Sequence, residues 1–218
     1  YNTFALHAAA LTGASEITFM DYADKILDWQ IEQGRARGIQ AVGLKADLNT
    51  LPLPELPATY DLILCQEVLE HLPHAAAVLT HLVARLSPGG SLLITVPTRF
   101  SERWIKRLNP SYMRNEPYGH VNEFDRAGLT ALLKQAGLVP EVFESIQPHY
   151  FLGHLWLFGS RVAIEGASGA ILKHDLRTRI FGWIVRGGRW FFRHTGPRFW
   201  GRIFPRNYFV IARRAPSP

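Results

Sequence analysis

Two uninterrupted apolar runs constrain the fold more than any other feature of this 218-residue chain. YDLILC (60–65) and SLLITVP (91–97) lack the polar alternation of a strand with one solvent face, as is typical of strands covered on both faces. Between them lies EVLEHLPHAAAVLTHLVARLSPGG, whose composition predicts a long helix that ends at Gly89-Gly90. A strand, a helix and a second buried strand in this order predict a βαβ unit with two parallel strands.

The rest of the chain continues this alternation and predicts an α/β fold. Loops are predicted where prolines cluster, at 51–60, and in most of the stretch from 98 to about 122. Helical composition and glycine ends predict helices, and short apolar runs predict strands. The predicted helices are 3–13, 22–38 and 125–137, and the further strands are 15–21, 39–48, 138–146 and 207–214.

Charge divides the chain after residue 150. Up to that point there are 12 Lys/Arg and 16 Asp/Glu, whereas residues 151–218 carry 12 Lys/Arg and only two acids, Glu165 and Asp175. Such a split suggests different roles along one chain. We therefore expect a core (1–150), a basic aromatic insertion (151–206) and a final strand with a tail (207–218).

Cysteine content and hydropathy exclude several classes of protein. A single cysteine excludes an intramolecular disulfide and a Cys-rich metal site, and it fits a reducing compartment such as the cytoplasm. No stretch approaches about 18 uninterrupted apolar residues, so a regular transmembrane helix is not expected. No signal peptide is recognised in the sequence, which begins at Tyr1 without a methionine.

Six segments, in this order, resemble class I S-adenosylmethionine-dependent methyltransferases, particularly the small-molecule branch of ubiquinone-biosynthesis-type O-methyltransferases. The resemblance implies a Rossmann-like, doubly wound, mostly parallel sheet with an antiparallel last strand. It also implies S-adenosylmethionine as the cofactor. The segments are EITFMDYADKILDW, LKADLNTLPL, YDLILCQEVLEHL, LSPGGSLLITVP, GHVNEFDRAGLTALLKQAGL and NYFVIARR.

One family feature is missing from this sequence. The family begins with a strand and a glycine-rich turn that approaches the methionine part of the cofactor, whereas this chain begins with YNTFALHAAAL, which resembles the following helix. We expect the N-terminal strand and glycine turn to have been lost by truncation. The alternative is a cofactor-free domain that serves as a scaffold or a partner-binding module.

Four candidate cofactor residues follow two predicted strands. Asp21 ends a strand, where open α/β sheets bind ligands, and a carboxylate there can accept both ribose hydroxyls. The alternative role of Asp21 is to cap the next helix. The resemblance implies cofactor binding by Asp21 with Tyr22, and it places Asp47 at the adenine amino group with Leu48 on the ring. Asp47 could instead be a turn residue.

The resemblance also places Cys65 and Gln66 beside the methionine part of the cofactor, with Glu67 close by. A predicted helix would put Glu67 and His71 on one face, where the carboxylate could orient an imidazole as a general base. Alternatively, Glu67 and Glu70 only favour the first helical turn through its dipole. A metal half-site lacks a further set of ligands, and no metal site is predicted.

Methyl transfer is an in-line displacement, so the enzyme supplies alignment and, for a hydroxyl acceptor, a group that takes the proton. His120, in GHVNEF, is the preferred base because the resembling family has a histidine over the pocket after its fifth strand. His71 is the second candidate. Both could instead be structural, with Asn122 or Asp125 as the cap of the following helix.

Arginine alternates with tryptophan and phenylalanine in FGWIVRGGRWFFRHTGPRFWGRIFPR. This composition fits an interfacial membrane element, a nucleic-acid surface or a lid over the substrate pocket. Gly187-Gly188, Gly196-Pro197 and Pro205 predict that it does not form one long helix. We expect a lid that contacts an anionic membrane surface through 175–206, with a small or lipid-like acceptor. A nucleic-acid methyltransferase is the weaker alternative, because no known nucleic-acid module accompanies the charge.

Overall fold

The computed structural model describes residues 4–50, 55–56, 59–110, 112, 119–159 and 176–215. The chain forms two compact units, Tyr1–Pro57 and Ala58–Pro218. Within the described residues, no helix combines the length and the apolar character needed to cross a bilayer.

The first unit is a small α/β layer built on two parallel strands. Its elements are α1 (Phe4–Thr12), β1 (Glu16–Asp21), α2 (Asp24–Arg35) and β2 (Gln40–Lys45). The two strands pair in parallel over their full length. Their apolar residues pack on both helices through a core of Leu6, Phe19, Leu27 and Ala41.

The second unit is a four-stranded mixed sheet in the order β3-β4-β6-β5. β3 and β4 are parallel, and β6 runs antiparallel to both β4 and β5, which confirms the predicted antiparallel last strand. The α/β fold class predicted from the sequence is therefore confirmed. The elements are β3 (Tyr60–Gln66), α3 (Ala75–Ala84), β4 (Leu86–Pro97), α4 (Arg99–Leu108), α5 (Arg126–Gln135), β5 (Leu138–Ile146), α6 (Pro148–Gly159), α7 (Leu176–His194), α8 (Pro197–Ile203) and β6 (Asn207–Arg214).

The core of the second unit lies around β4. Every residue from Leu92 to Pro97 is buried, which confirms that this apolar run is covered on both faces. Val78 and Leu79 of α3 and Leu129 of α5 are fully buried apolar residues of the same unit. Asp125 caps α5 as predicted, since its side chain accepts a hydrogen bond from the Gly128 N–H.

The long helix predicted from Glu67 to Gly89-Gly90 is wrong at both ends, since α3 ends at Ala84 and β4 already begins at Leu86. Glu67 has a left-handed backbone (φ 51°), Leu69–His71 form a single 3-10 turn, and α3 begins only at Ala75. Pro73 explains the break, because a proline ring disfavours helical geometry in the preceding residue and Leu72 is extended. Glu67 and His71 therefore do not share a helical face, and the helix-dipole explanation of the acidic residues fails.

Two other predictions need correction. The stretch predicted to be mostly loop contains α4, whose first turn is capped by the Thr98 side chain, which accepts a hydrogen bond from the Ser101 N–H.

Gly187-Gly188 do not break α7, which continues through both residues. Packing outweighs glycine's low helix propensity here: α7 packs on α6, and a Cβ at Gly188 would lie 3.1 Å from His149 Cβ. Gly196-Pro197 do separate α7 from α8, as predicted.

Candidate active site

A cavity of about 220 Å³ lies in the second unit, where several strand ends meet. Glu67 follows β3, Asn207 begins β6, and Gln147 follows β5. Ligands of α/β sheets bind at the carboxyl ends of parallel strands, and β3 supplies such an end here. The lining residues are Glu67, Gln147, Tyr150, His154, Arg206 and Asn207.

Backbone strain concentrates at this cavity. Among the described non-glycine residues, only Glu67 (φ 51°) and Gln147 (φ 60°) have a positive φ, and both line it. Such conformations cost free energy and persist where surrounding structure enforces them, often at ligand sites. The strain therefore supports the cavity as a functional site.

Hydrogen bonds hold the strained Glu67 in place. Its Oε1 accepts from Thr95 Oγ1 at 2.8 Å and from Asn207 Nδ2 at 2.6 Å. Its backbone N–H donates to the Thr95 carbonyl at 2.9 Å. β4 and β6 thus orient the carboxylate that ends β3.

Arg206 of the cavity wall belongs to a buried ion pair. Arg206 donates to Glu102 Oε1 at 3.1 Å, to Ser101 Oγ at 3.0 Å and to the Tyr112 hydroxyl at 3.4 Å. Burial alone would raise the pKa of Glu102, but the hydrogen bond from His120 and the Arg206 charge outweigh it and lower that pKa. Glu102 is therefore ionised although it is buried.

The same carboxylate orients His120. Its other oxygen, Oε2, lies 2.8 Å from His120 Nδ1. Because an ionised carboxylate only accepts, Nδ1 carries the proton of this hydrogen bond, and in the neutral ring Nε2 is then the accepting nitrogen. The His120 side chain is only 5% exposed, and its ring meets the rings of His71 and Tyr112 edge-on.

Glu70 adds a carboxyl group to the two histidines. One ligand atom from each of Glu70, His71 and His120 lies within 4.8 Å of the others, a spacing compatible with a divalent cation. Neither Glu70 carboxyl oxygen has a hydrogen-bond partner among the described residues. Burial, and then the Glu67 charge, raise the Glu70 pKa well above its usual value, so cation binding would first have to displace a proton. The sequence did not predict this cluster because the helix expected there does not form.

The predicted cofactor residues of the first unit lie at strand ends and make local turn contacts. Asp21 is the last residue of β1, and its Oδ1 accepts from Ala23 N–H at 2.9 Å. Asp47 follows β2, and its Oδ1 accepts from Asn49 N–H at 2.9 Å. These are the contacts expected of turn residues. Tyr22 is exposed and Leu48 is half-buried. Ligand binding by these four residues stays a prediction.

In the second unit, three predicted cofactor residues end or follow β3. Glu67 lines the cavity, whereas Gln66 is the last residue of the strand. Cys65 is buried, and burial, followed by the charges of Glu70 and Glu67, raises its pKa to about 12. Cys65 is therefore a neutral thiol.

Five cavity residues were missed from the sequence. For three of them the available signal was their position at predicted strands: Gln147 after β5, Arg206 before β6 and Asn207 at its first residue. Sequence alone does not show which strand ends are neighbours. His154 lines the cavity as a neutral imidazole, since burial and then the Arg206 charge lower its pKa to about 4.

Comparison with known proteins identifies the family. The family model of the methyltransferase domain matches residues 8–141. The chain belongs to this methyltransferase-domain family. The matched part includes Glu67, His71 and His120, whereas α6, α7, α8 and β6 lie beyond it.

A curated relative and two solved structures are similar to this methyltransferase-domain chain. A ubiquinone biosynthesis O-methyltransferase of Bordetella bronchiseptica is 31% identical over 141 residues, 60% of this chain and 56% of its own length. The chain thus spans little more than half of that relative. An S-adenosylmethionine-dependent methyltransferase from Mesorhizobium loti shares the fold with a TM-score of 0.57 at 16% identity, covering 97% of this chain and 86% of its own. Coclaurine N-methyltransferase also shares the fold, with a TM-score of 0.58 at 15% identity, covering 97% of this chain and 64% of its own.

Proposed function

We propose that this chain is part of an enzyme that transfers a methyl group from S-adenosylmethionine to an oxygen of a small or lipid-like acceptor. Family membership supports methyl transfer, and the O-methyltransferase relatives support an oxygen acceptor. The observation that carries the proposal is the cavity at the carboxyl end of β3, with the strained Glu67 in its wall. The acceptor binds in this cavity.

S-Adenosylmethionine supplies an electrophilic methyl group when it is bound. The residues of this chain then have to hold the cofactor, orient the acceptor hydroxyl and take its proton. The proposed cofactor residues lie at or next to the carboxyl ends of β1 and β2 in the first unit and of β3 in the second, and such strand ends bind ligands in α/β sheets, which supports their assignment. They are Asp21, Tyr22, Asp47, Leu48, Cys65, Gln66 and Glu67.

His120 is the proposed base; it is not one of the residues that line the cavity, and Glu102 connects it to Arg206 in the cavity wall. Glu102 fixes the proton on Nδ1, so Nε2 is the nitrogen that accepts, as an orienting carboxylate does for a catalytic histidine in other enzymes. His71 is the second candidate, with its ring centroid 4.8 Å from that of His120. A His120→Asn variant should lower kcat by at least about 100-fold, the lower bound for general-base catalysis.

Calorimetry tests the cofactor proposal. Full-length protein should bind S-adenosylmethionine, and Asp21→Ala should weaken that binding by about tenfold or more, because a buried hydrogen bond to a charged group is lost. Equal binding by both proteins would remove Asp21 from the site. Absence of binding by the full-length wild type would favour the cofactor-free scaffold instead.

A membrane-contacting role of the basic insertion belongs to the same proposal. On the outer face of α7, Trp183 and Trp190 are 73% and 67% exposed, whereas Val185 and Phe192 are buried on the opposite face. Helical spacing places Arg186 and Arg193 beside the two tryptophans. Exposed tryptophan flanked by arginine is typical of helices that lie in the interface of an anionic bilayer. This arrangement fits a lipid-like acceptor.

A further inference from the structure

We propose that Asn207 selects the methyl acceptor, because its Oδ1 accepts a hydrogen bond from a hydroxyl group of an uncharged molecule bound in the cavity. This inference deepens the proposed function and rests on it. Asn207 lines the cavity at the beginning of β6 and is buried.

Glu67 determines which way the Asn207 amide points. Asn207 Nδ2 lies 2.6 Å from Glu67 Oε1. A carboxylate oxygen cannot donate, so the NH₂ group must face Glu67 and Oδ1 must occupy the opposite side of the amide. The assignment of nitrogen and oxygen therefore follows from hydrogen-bonding chemistry.

Asn207 Oδ1 is buried and has no hydrogen-bond partner within the described part of the chain. Buried polar atoms are nearly always paired, because leaving an acceptor unpaired after removing it from water is costly. Two other residues of the cavity wall do not offer it a donor. Glu67 is a carboxylate, and His154 donates its Nδ1 proton to the Tyr150 carbonyl at 2.8 Å. The cavity is therefore complementary to a ligand that brings donors.

Charge narrows the ligand to an uncharged molecule. Among the described residues of the cavity wall, Glu67 supplies the one carboxylate and Arg206 the one guanidinium. A ligand carboxylate would face Glu67, while the Arg206 charge is already compensated by Glu102 at 3.1 Å. A ligand ammonium would face the guanidinium. A neutral hydroxyl avoids both repulsions and supplies the donor that Oδ1 lacks.

The test measures binding of catechol and phenol, which differ by one hydroxyl, to full-length protein by calorimetry. Wild type should bind catechol about tenfold or more tightly than phenol, as expected for one buried hydrogen bond. Asn207→Leu and Asn207→Ala should bind the two ligands within about threefold of each other. Two variants are used so that poor packing of either one, checked by thermal melting, does not decide the outcome.

Thr95→Val is the matched control. It removes the other hydrogen bond to Glu67 Oε1 and leaves Asn207 Oδ1 unchanged, so the catechol preference should persist. If Asn207 variants weaken both ligands equally, or if neither ligand binds wild type, the inference is overturned. Binding of 3,4-dihydroxybenzoate as tight as that of catechol would overturn the requirement for an uncharged ligand.

The binding readout is separate from turnover. If the catechol preference depends on Asn207 but no methyl group is transferred from S-adenosylmethionine, the proposed function fails and the assignment of Asn207 stands. If methyl transfer occurs without any effect of Asn207 on the preference, the proposed function stands and the inference fails.

Discussion

Burial sets the protonation state of single residues around the cavity. Cys65 and Tyr112 have pKa values raised to about 12, chiefly by burial, and His154 has one lowered to about 4. All three are therefore neutral near pH 7. The Arg206–Glu102 pair stays ionised because each partner stabilises the charge of the other. These three neutral groups thus lie near a buried ion pair, one partner of which, Arg206, lines the cavity together with the Glu67 carboxylate.

Cys65 should be unreactive in the folded protein. A pKa of about 12 instead of 9.0 reduces its thiolate fraction by roughly 1000-fold, and thiolate is the reactive form. Iodoacetamide at pH 8 should therefore label native protein at least about 100-fold more slowly than protein in denaturant. Mass spectrometry measures the label, and Cys65→Ser provides the blank. Rapid labelling of native protein would contradict this burial.

His154 should make the second unit sensitive to acid. Its pKa is about 4 in the folded protein and ordinarily 6.5, so between these values the unfolded chain binds more protons than the native one. The stabilisation is complete above pH 6.5 and is lost as pH falls toward 4. The contribution lost between pH 7 and pH 5 is about 2 kcal/mol, at 1.4 kcal/mol per unit. Half-buried His149 also contributes to the loss of stability in acid, because burial and then the Arg189 charge lower its pKa to about 4.

Denaturant unfolding of His154→Gln across this pH range measures that contribution. The variant should lose less free energy of unfolding between pH 7 and pH 5 than wild type does. His74→Gln, which replaces an exposed histidine, should keep the wild-type dependence. If His154→Gln and His74→Gln have the same slope, burial does not keep His154 neutral.

At the scale of elements, sequence was sufficient where one physical rule dominates. Apolar content predicted β3 and β4 as strands, but the prediction that both are covered on both faces is right only for the run in β4, since Cys65 is the one buried residue of β3 and the others are half-buried or exposed. α4 was missed because its capping residue, Thr98, follows a strand without a break. The 3-10 turn at Leu69–His71 was missed because it depends on a left-handed Glu67. The cavity could not be predicted because it joins residues about 140 positions apart, Glu67 and Asn207.

Gly201 allows α8 to pack directly on β5. A Cβ at this position would lie 2.1 Å from the Ser145 carbonyl oxygen, and a backbone atom cannot give way as a flexible side chain can. Gly201→Ala should therefore destabilise the second unit by about 2 kcal/mol or more. The position cannot be filled without moving the helix from the strand.

Gly187→Ala is the matched control for this helical region. A Cβ there would meet nothing within 4 Å, so the variant should gain about 0.5–1 kcal/mol from helix propensity. Thermal melting compares both variants with wild type. A melting temperature of Gly201→Ala equal to that of Gly187→Ala would mean that α8 is not packed on β5 as described.

At the scale of the whole molecule, charge separates the chain into an acidic and a basic part. Residues 151–218 carry 12 Lys/Arg against two acids, while the preceding 150 residues have an excess of acids. Clustered arginine attracts any polyanion, so charge alone does not distinguish lipid from nucleic acid. The exposed tryptophans of α7 do distinguish them, because vesicle binding should survive in part when salt screens the arginines.

Vesicle flotation tests this distinction with full-length protein, vesicles containing anionic phospholipid, and the double variant Trp183→Ser/Trp190→Ser. Wild type should float at low salt and partly at 0.5 M salt, about the level at which surface charges are largely screened. The double variant should lose at least about tenfold in vesicle affinity, because two indole rings no longer enter the interface.

Trp104→Ser is the control: it removes an exposed tryptophan of α4 and should float like wild type. Equal flotation of wild type and double variant would remove the membrane proposal, and binding to RNA without binding to vesicles would favour the nucleic-acid alternative.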